Sequence, residues 1–144
     1  VNYDRIKAAK GTLSPTAHPL VRDVVACFES SLIAIKLTQK NNIRLHVLHI
    51  STEKELQLFS NMMPLKEKRM TAEVCVHHLH FTADDYAQLG YKIKCNPAIK
   101  GPHTKKALWK ALLDDRLDVI ATDHAPHTWA DKQGTYEQAH AGLP

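Results

Sequence analysis

No stretch of this chain approaches the roughly 20 consecutive apolar residues of a membrane-spanning helix, so a helical membrane anchor is not expected. No charged start followed by an apolar core opens the sequence, and a secretory leader is not expected either. Arginine-rich blocks and interleaved basic and aromatic residues are missing too. The 19 Lys+Arg against 15 Asp+Glu leave a net charge of +4, spread along the chain, which predicts neither a nucleic-acid nor a membrane partner and suits a small anionic substrate through the general field. Cysteine is scarce. Cys27, Cys75 and Cys95 are odd in number and lack metal-type spacing, so the sequence predicts buried packing roles in a reduced, cytoplasmic setting rather than a disulfide framework. Internal repeats, low-complexity tracts and interdomain linkers are absent as well. The 144 residues suffice for one domain burying roughly 70% of its unfolded surface.

What the chain does have is apolar runs that end in histidine or aspartate. Val119 to His127 (VIATDHAPH) stops abruptly in an aspartate flanked by histidines. Such a run reads as a buried strand delivering a carboxylate to the mouth of a site, because parallel strands bury both faces and expose chemistry at their ends. Arg44 to Ile50 (RLHVLHI) is a second, handing over to Ser51 and Thr52, where Thr52 and Glu55 form a capping box for a short helix marked by Leu56, Phe59 and Met63 and ended by Pro64. Glu73 to Leu79 (EVCVHHL) is a third, ending at His77 and His78 with His80 beyond.

Between the strands the spacing is helical. Val21, Val24, Val25, Phe28, Leu32 and Ile35 predict a long helix from about Leu20 to Lys40. Thr82 caps another, with Tyr86 and Leu89 inward and Gly90 stopping it; Ile93 to Asn96 is short and extended, and Thr104 to Leu113 is helical. Strands alternating with helices imply a parallel sheet. Three strands close poorly, since the chain begins in a polar segment and ends without a further helix. The economical expectation is an α/β fold that forms part of a (β/α)8 TIM barrel, roughly strands 6 to 8 with their helices. Residues 1–144 would then be the C-terminal part of a catalytic barrel in a longer chain.

HVLHIST at 46–52, EVCVHHLHFT at 73–82, IKCNPAIK at 93–100 and ATDHAPHT at 121–128 together closely resemble dihydroorotase, a member of the amidohydrolase superfamily of metal-dependent barrel enzymes. The resemblance spans nearly the whole chain in order and spacing. It implies zinc-dependent, reversible cyclisation of N-carbamoyl-L-aspartate to L-dihydroorotate in pyrimidine (UMP) biosynthesis, with two zinc ions per active site. His49 matches a histidine ligand of the binuclear site, and Asp123 the aspartate that binds the other metal and acts as general base and acid. Asn96 and His127 match positions that hold the substrate's carboxylate and ring polar groups. Ala141 and Gly142 match a loop whose backbone contacts substrate. The family's N-terminal H-x-H pair, its bridging carboxylate and the histidine of strand five have no counterpart here, so these residues alone cannot complete the site, and the segment by itself is expected to be inactive. A homo-oligomer is compatible with the resemblance. The alternatives are another cyclic amidohydrolase, hydantoinase or allantoinase, and a catalytically inactive scaffold subunit.

Plainer roles stand beside these. His46 is expected to be a hydrogen-bonded structural residue facing the helices. His77, His78 and His80 could suggest a further metal site, but adjacent strand residues point to opposite faces and packing is expected. His18 reads as a loop histidine, His124 as a residue orienting its loop, and His103 and His140 as solvated. Asn96 before Pro97 could serve turn chemistry, and Asp123 could cap the turn before Pro126. Trp109 is expected in the core, and Trp129 in a loop that could shield the site.

Overall fold

In the computed structural model, which describes residues 2–143, α1 (Asn2–Lys10) leads through a 3₁₀ turn into the short α2 (His18–Val21) and then α3 (Val24–Asn41). The single long helix expected from about Leu20 is broken at Arg22 and Asp23. Asp23 is extended, and its carboxylate accepts from the Ala26 N–H at 2.8 Å, so it starts a new helix instead of continuing the old one. Asn42 closes α3 in the left-handed conformation, donating back to Gln39 and Thr38, as helix ends commonly do.

Strand β1 (Leu45–Val47) follows, then β2 (Met70–Cys75). Here the apolar run at 73–79 divides. The strand begins earlier than expected and stops at Cys75, and Val76–His80 forms the short helix α4. An apolar run can belong to either element, and the chain turns so that Leu79 enters the core while Val76 stays exposed. The expected helix after Thr52 is only a 3₁₀ turn, Glu55–Leu58, ended by extended Phe59. Thr82 and Asp85 do make a reciprocal capping box ahead of α5 (Tyr86–Leu89), and Gly90 ends it with φ +58°. A 3₁₀ turn then occupies Gly90–Ile93, so the extended piece starts only at Lys94. Helix α6 (Pro102–Leu113), with Pro102 at its first turn, precedes β3 (Val119–Ala121).

The three strands are parallel in the order β1-β2-β3, pairing Leu45 with Met70 and Cys75 with Ala121. Helices α3 and α6 cover one face, where Ile35, Ala72, Val74, Leu108 and Ala111 share a core. A buried ion pair, Lys68 Nζ to Asp118 Oδ1 at 2.6 Å, ties together the entries to β2 and β3; the other Asp118 oxygen accepts from the Ala72 N–H. All three bonds of that corner are internal, Lys68 also donating to the Asp115 carbonyl, which is the condition for a buried pair to be tolerated.

β3 departs from the expected strand buried on both faces. Among the described residues it has a neighbour on one side only, and Val119 and Ile120 are 41% and 54% exposed. Trp109, expected in the core, is 44% exposed and donates its indole N–H to the Leu79 carbonyl. Among the described residues no helix is long and apolar enough to cross a membrane.

The α6 packing gives a direct check. Leu108 is 1% exposed and Leu113 79%. Leu108→Ala should therefore cost about 2–5 kcal/mol, against about 0.5 kcal/mol or less for Leu113→Ala; equal shifts in denaturant midpoint would contradict this assignment of the buried face.

Candidate active site

At the C-terminal end of the sheet two backbone positions are strained. His49 and Asp123 both have left-handed backbones, φ +55° and +47°, a region uncommon for residues other than glycine and concentrated where a site over-determines the chain. His49 lies two residues beyond β1, held by the next amide, since the Ile50 N–H donates to the Glu73 carbonyl at 2.8 Å. Asp123 lies two residues beyond β3.

Glu73, on the central strand, links the histidines of β1. Its side chain is 8% exposed and points to the face the helices leave open. His46 Nε2 lies 3.1 Å from Glu73 Oε2 and His46 Nδ1 2.8 Å from Thr71 Oγ1. His46 is thus a hydrogen-bonded residue, as expected, but it faces away from the helices, because Leu45 and Val47 take the core side of so short a strand. His49 Nδ1 lies 2.9 Å from Glu73 Oε1 and 3.0 Å from Cys75 Sγ. A carboxylate oxygen only accepts, so the proton belongs on Nδ1. That leaves Nε2 of His49 bare, 3.7 Å from Asp123 Oδ1. A bare imidazole nitrogen oriented by a carboxylate behind it, facing a second carboxylate, is a donor pair suited to a metal ion.

Beside this pair, the helical turn of α4 changes the reading of the histidine cluster. His77 and His78 do not point to opposite faces: both are buried, their ring centroids 4.4 Å apart, and each offers a donor atom within 4.8 Å of the other and of Cys75. Burial lowers the basicity of both, His78 to about 3, and raises the Cys75 thiol to about 12. His80 is exposed, its ring against Phe81.

The remaining matched residues sit on the loops around this mouth. His127 Nε2 donates to the Ala141 carbonyl at 3.1 Å. Gly142 packs so closely that a Cβ there would lie 2.7 Å from the Ala125 carbonyl oxygen and 2.9 Å from His127 Nε2, and its φ is +141°. Buried Lys132 fixes the same loop, donating to the carbonyls of Lys94, His140 and Gly142; desolvation brings its pKa down to about 8. Asn96 is exposed and borders two cavities, one of about 400 Å³ shared with His49 and Glu55, the other of about 420 Å³ shared with Ala141 and Arg22. His49 and Asp123 are therefore brought together, as are His127, Ala141 and Gly142, while Asn96 reaches both groups through cavities rather than bonds.

His18 is not a loop residue. It opens α2, is 2% exposed, donates from Nε2 to the Cys95 carbonyl and accepts at Nδ1 from the Tyr136 hydroxyl. His124 bridges backbone to Leu143, and His140 stacks 5.0 Å from His127. His103 is exposed beside Glu53, and Trp129 is exposed with Lys92 over its ring. Glu73 and Lys132 border the candidate site without having been singled out from the sequence, and Cys75, read there as buried packing, is buried and also touches His49. A lone acid in an otherwise apolar strand was the available signal for Glu73; Lys132 carried none.

No family profile matches the chain. Curated relatives do: a dihydroorotase of Methanosarcina acetivorans is 36% identical over 145 residues, covering 94% of this chain and 30% of its own length. A dihydroorotase of Bacillus pumilus is 38% identical over 109 residues, covering 76% of this chain and 25% of its own. The chain thus spans about a third or less of the length of the curated relatives it matches. Among solved structures, an L-hydantoinase (dihydropyrimidinase) from Arthrobacter aurescens superposes with a TM-score of 0.86 at 25% identity, over 96% of this chain and 31% of that one. A dihydroorotase from Saccharomyces cerevisiae in complex with 5-fluoroorotic acid gives 0.69 at 28% identity, over 78% and 32%.

Two outcomes follow from the loop and from His18. Gly142→Ala should destabilise by about 1–3 kcal/mol and shift the His127 ring resonances; an unchanged His127 spectrum would show that the contact is not made. His18 has its pKa depressed from 6.5 to about 4 by burial. Its contribution to stability is complete above pH 6.5 and is lost as the pH falls towards 4, a total of about 3 kcal/mol. Stability measured against pH should fall less steeply over that window in His18→Gln, and parallel curves would contradict the burial of a neutral imidazole.

Proposed function

We propose, from the chain's homology to about a third of the dihydroorotase sequence, that residues 1–144 are the C-terminal part of a metal-dependent cyclic amidohydrolase barrel, contributing roughly its strands 6 to 8. The open edges of β1 and β3 and the exposed apolar side chains of Val119 and Ile120 support a sheet that continues into further strands. The reaction is the reversible cyclisation of N-carbamoyl-L-aspartate to L-dihydroorotate in pyrimidine biosynthesis. The single observation that carries it is the facing pair of His49 Nε2 and Asp123 Oδ1, 3.7 Å apart at the ends of parallel strands, within the segment homologous to dihydroorotases.

The donor set fits zinc, because imidazole nitrogen and carboxylate oxygen are ordinary zinc ligands and Glu73 supplies the orienting partner behind His49. His49 and Asp123 would hold the metal with ligands from elsewhere in the longer protein. Zinc bound there supplies a water acidic enough to attack near neutral pH and polarises the ring carbonyl. Asp123 takes the proton of the attacking water and returns it to the leaving ring nitrogen, a shuttle on the scale of roughly 10²–10⁴-fold in rate. His127 turns its Nε2–H from the Ala141 carbonyl to the substrate carboxylate, the Asn96 amide donates beside it, and the backbone of Ala141 and Gly142 lines the ring. Three unpaired thiols accord with a reduced, cytoplasmic setting.

The structural likeness to a hydantoinase favours a second reading, hydrolysis of a neutral cyclic ureide. Dihydroorotate carries a carboxylate and hydantoin does not, so the longer protein should turn over dihydroorotate in preference, and the reverse preference would select the second reading. In that protein Asp123→Asn should lower turnover at least ~10²-fold with most metal retained, whereas His49→Ala should lose metal first. Asn96→Ala and His127→Ala should raise KM and leave metal content unchanged; loss of metal from His127→Ala would contradict its role. The 144-residue segment alone should show no turnover.

A further inference from the structure

We infer that Cys75, His77 and His78 form a binding site for a single zinc-class metal ion, distinct from the His49–Asp123 pair. β2 ends at Cys75 and passes directly into the first turn of α4. That turn swings residues 77 and 78 to the same side as the cysteine, and one donor atom from each of the three lies within 4.8 Å of the others. All three are buried, at 0%, 4% and 3% exposure.

The hydrogen bonds specify what the cluster lacks. His78 Nε2 lies 3.0 Å from the Pro97 carbonyl, which only accepts, so the proton sits on Nε2 and the lone pair on Nδ1. Nδ1 of His78 is buried without a partner, and so is Nε2 of His77. Each unsatisfied buried nitrogen costs about 1–3 kcal/mol, and two of them on rings whose centroids lie 4.4 Å apart, beside a thiol, is a combination that apolar packing does not account for. With His77 in its Nδ1–H tautomer, one cation satisfies both nitrogens. A carbonyl bonded behind a ligating imidazole is also the arrangement that orients histidine ligands in metal sites.

The donor set selects the metal. One thiolate and two imidazoles favour Zn²⁺ and exclude Mg²⁺ and Ca²⁺, which take oxygen ligands. On binding, the Cys75 thiol releases its proton to solvent and the sulfur bonds to the metal as thiolate. His49 Nδ1–H, which donates to Glu73 Oε1, also lies 3.0 Å from Cys75 Sγ and is shared with that thiolate while Nε2 still faces Asp123, so the two sites adjoin without sharing a ligand. A fourth position is left to water. The inference does not rest on the proposed activity, since neither His49 nor Asp123 is a ligand.

The test uses the chain itself, stripped with chelator and titrated with Co²⁺ alone, whose near-ultraviolet thiolate-to-cobalt absorption reports sulfur ligation directly. The expected result is one equivalent bound with that absorption and displaced by Zn²⁺. His78→Asn and Cys75→Ser should each weaken binding at least ~10-fold, Cys75→Ser also abolishing the thiolate absorption. Cys95→Ser and Asp123→Asn should keep it, and its persistence in Asp123→Asn separates this site from the one proposed for catalysis. Should Cys75→Ser fail to fold, His78→Asn carries the decision. Absence of thiolate absorption at one equivalent, its survival in Cys75→Ser, unaltered affinity in His78→Asn, or its loss in Asp123→Asn overturns the inference.

Discussion

Glu73 sits on the central strand with its carboxylate turned to the face that the helices leave open, and both histidines of the neighbouring strand reach it, His46 at 3.1 Å and His49 at 2.9 Å. A buried carboxylate is costly unless its oxygens are bonded, so the two imidazoles are as necessary to Glu73 as it is to them. That mutual requirement fixes the register of β1 against β2 on the open face, while Leu45 and Val47 fix it from the core side. It also determines which nitrogen of His49 is free. The candidate chemistry at Asp123, and the sulfur contact at Cys75, follow from the ring angle this carboxylate imposes.

The two ends of the sheet divide the work. At the entry to the strands, Lys68 and Asp118 form a buried, fully bonded pair, and the left-handed backbones of Asn42 and Asp115 serve as turns into β1 and β3. At the exit, His49 and Asp123 have left-handed backbones, two histidine nitrogens lack partners, and Gly142 is wedged against His127. Left-handed backbones occur at both ends, so what sets the exit apart is its unpaired histidine nitrogens and converging polar side chains, at the end of a parallel sheet where sites collect.

Much of this was legible from residue order. The parallel α/β arrangement, the helix over 104–113 and the cap at Thr82 follow from apolar periodicity and capping residues, and the pairing of His49 with Asp123 from the resemblance of their motifs. Boundaries were less legible, for physical reasons. Asp23 looks like one more polar residue on a helix until its carboxylate is seen capping Ala26. EVCVHHL has no period that separates strand from helix, and reading it as all strand sends His77 and His78 to opposite faces, hiding their convergence on Cys75. The side His46 faces depends on which neighbours of a three-residue strand take the core. Lys132 draws its role from three backbone carbonyls distant in sequence, which no local pattern encodes.

The central claim is that Glu73 holds the proton of His49 on Nδ1 and presents a bare Nε2 to Asp123. Long-range proton–nitrogen correlation spectra of the metal-free protein labelled in its histidines measure this directly, since protonated and bare ring nitrogens resonate far apart. The account predicts a neutral His49 ring, protonated at Nδ1 and bare at Nε2. A His49 ring carrying its proton on Nε2, with Nδ1 bare against the carboxylate, would contradict it.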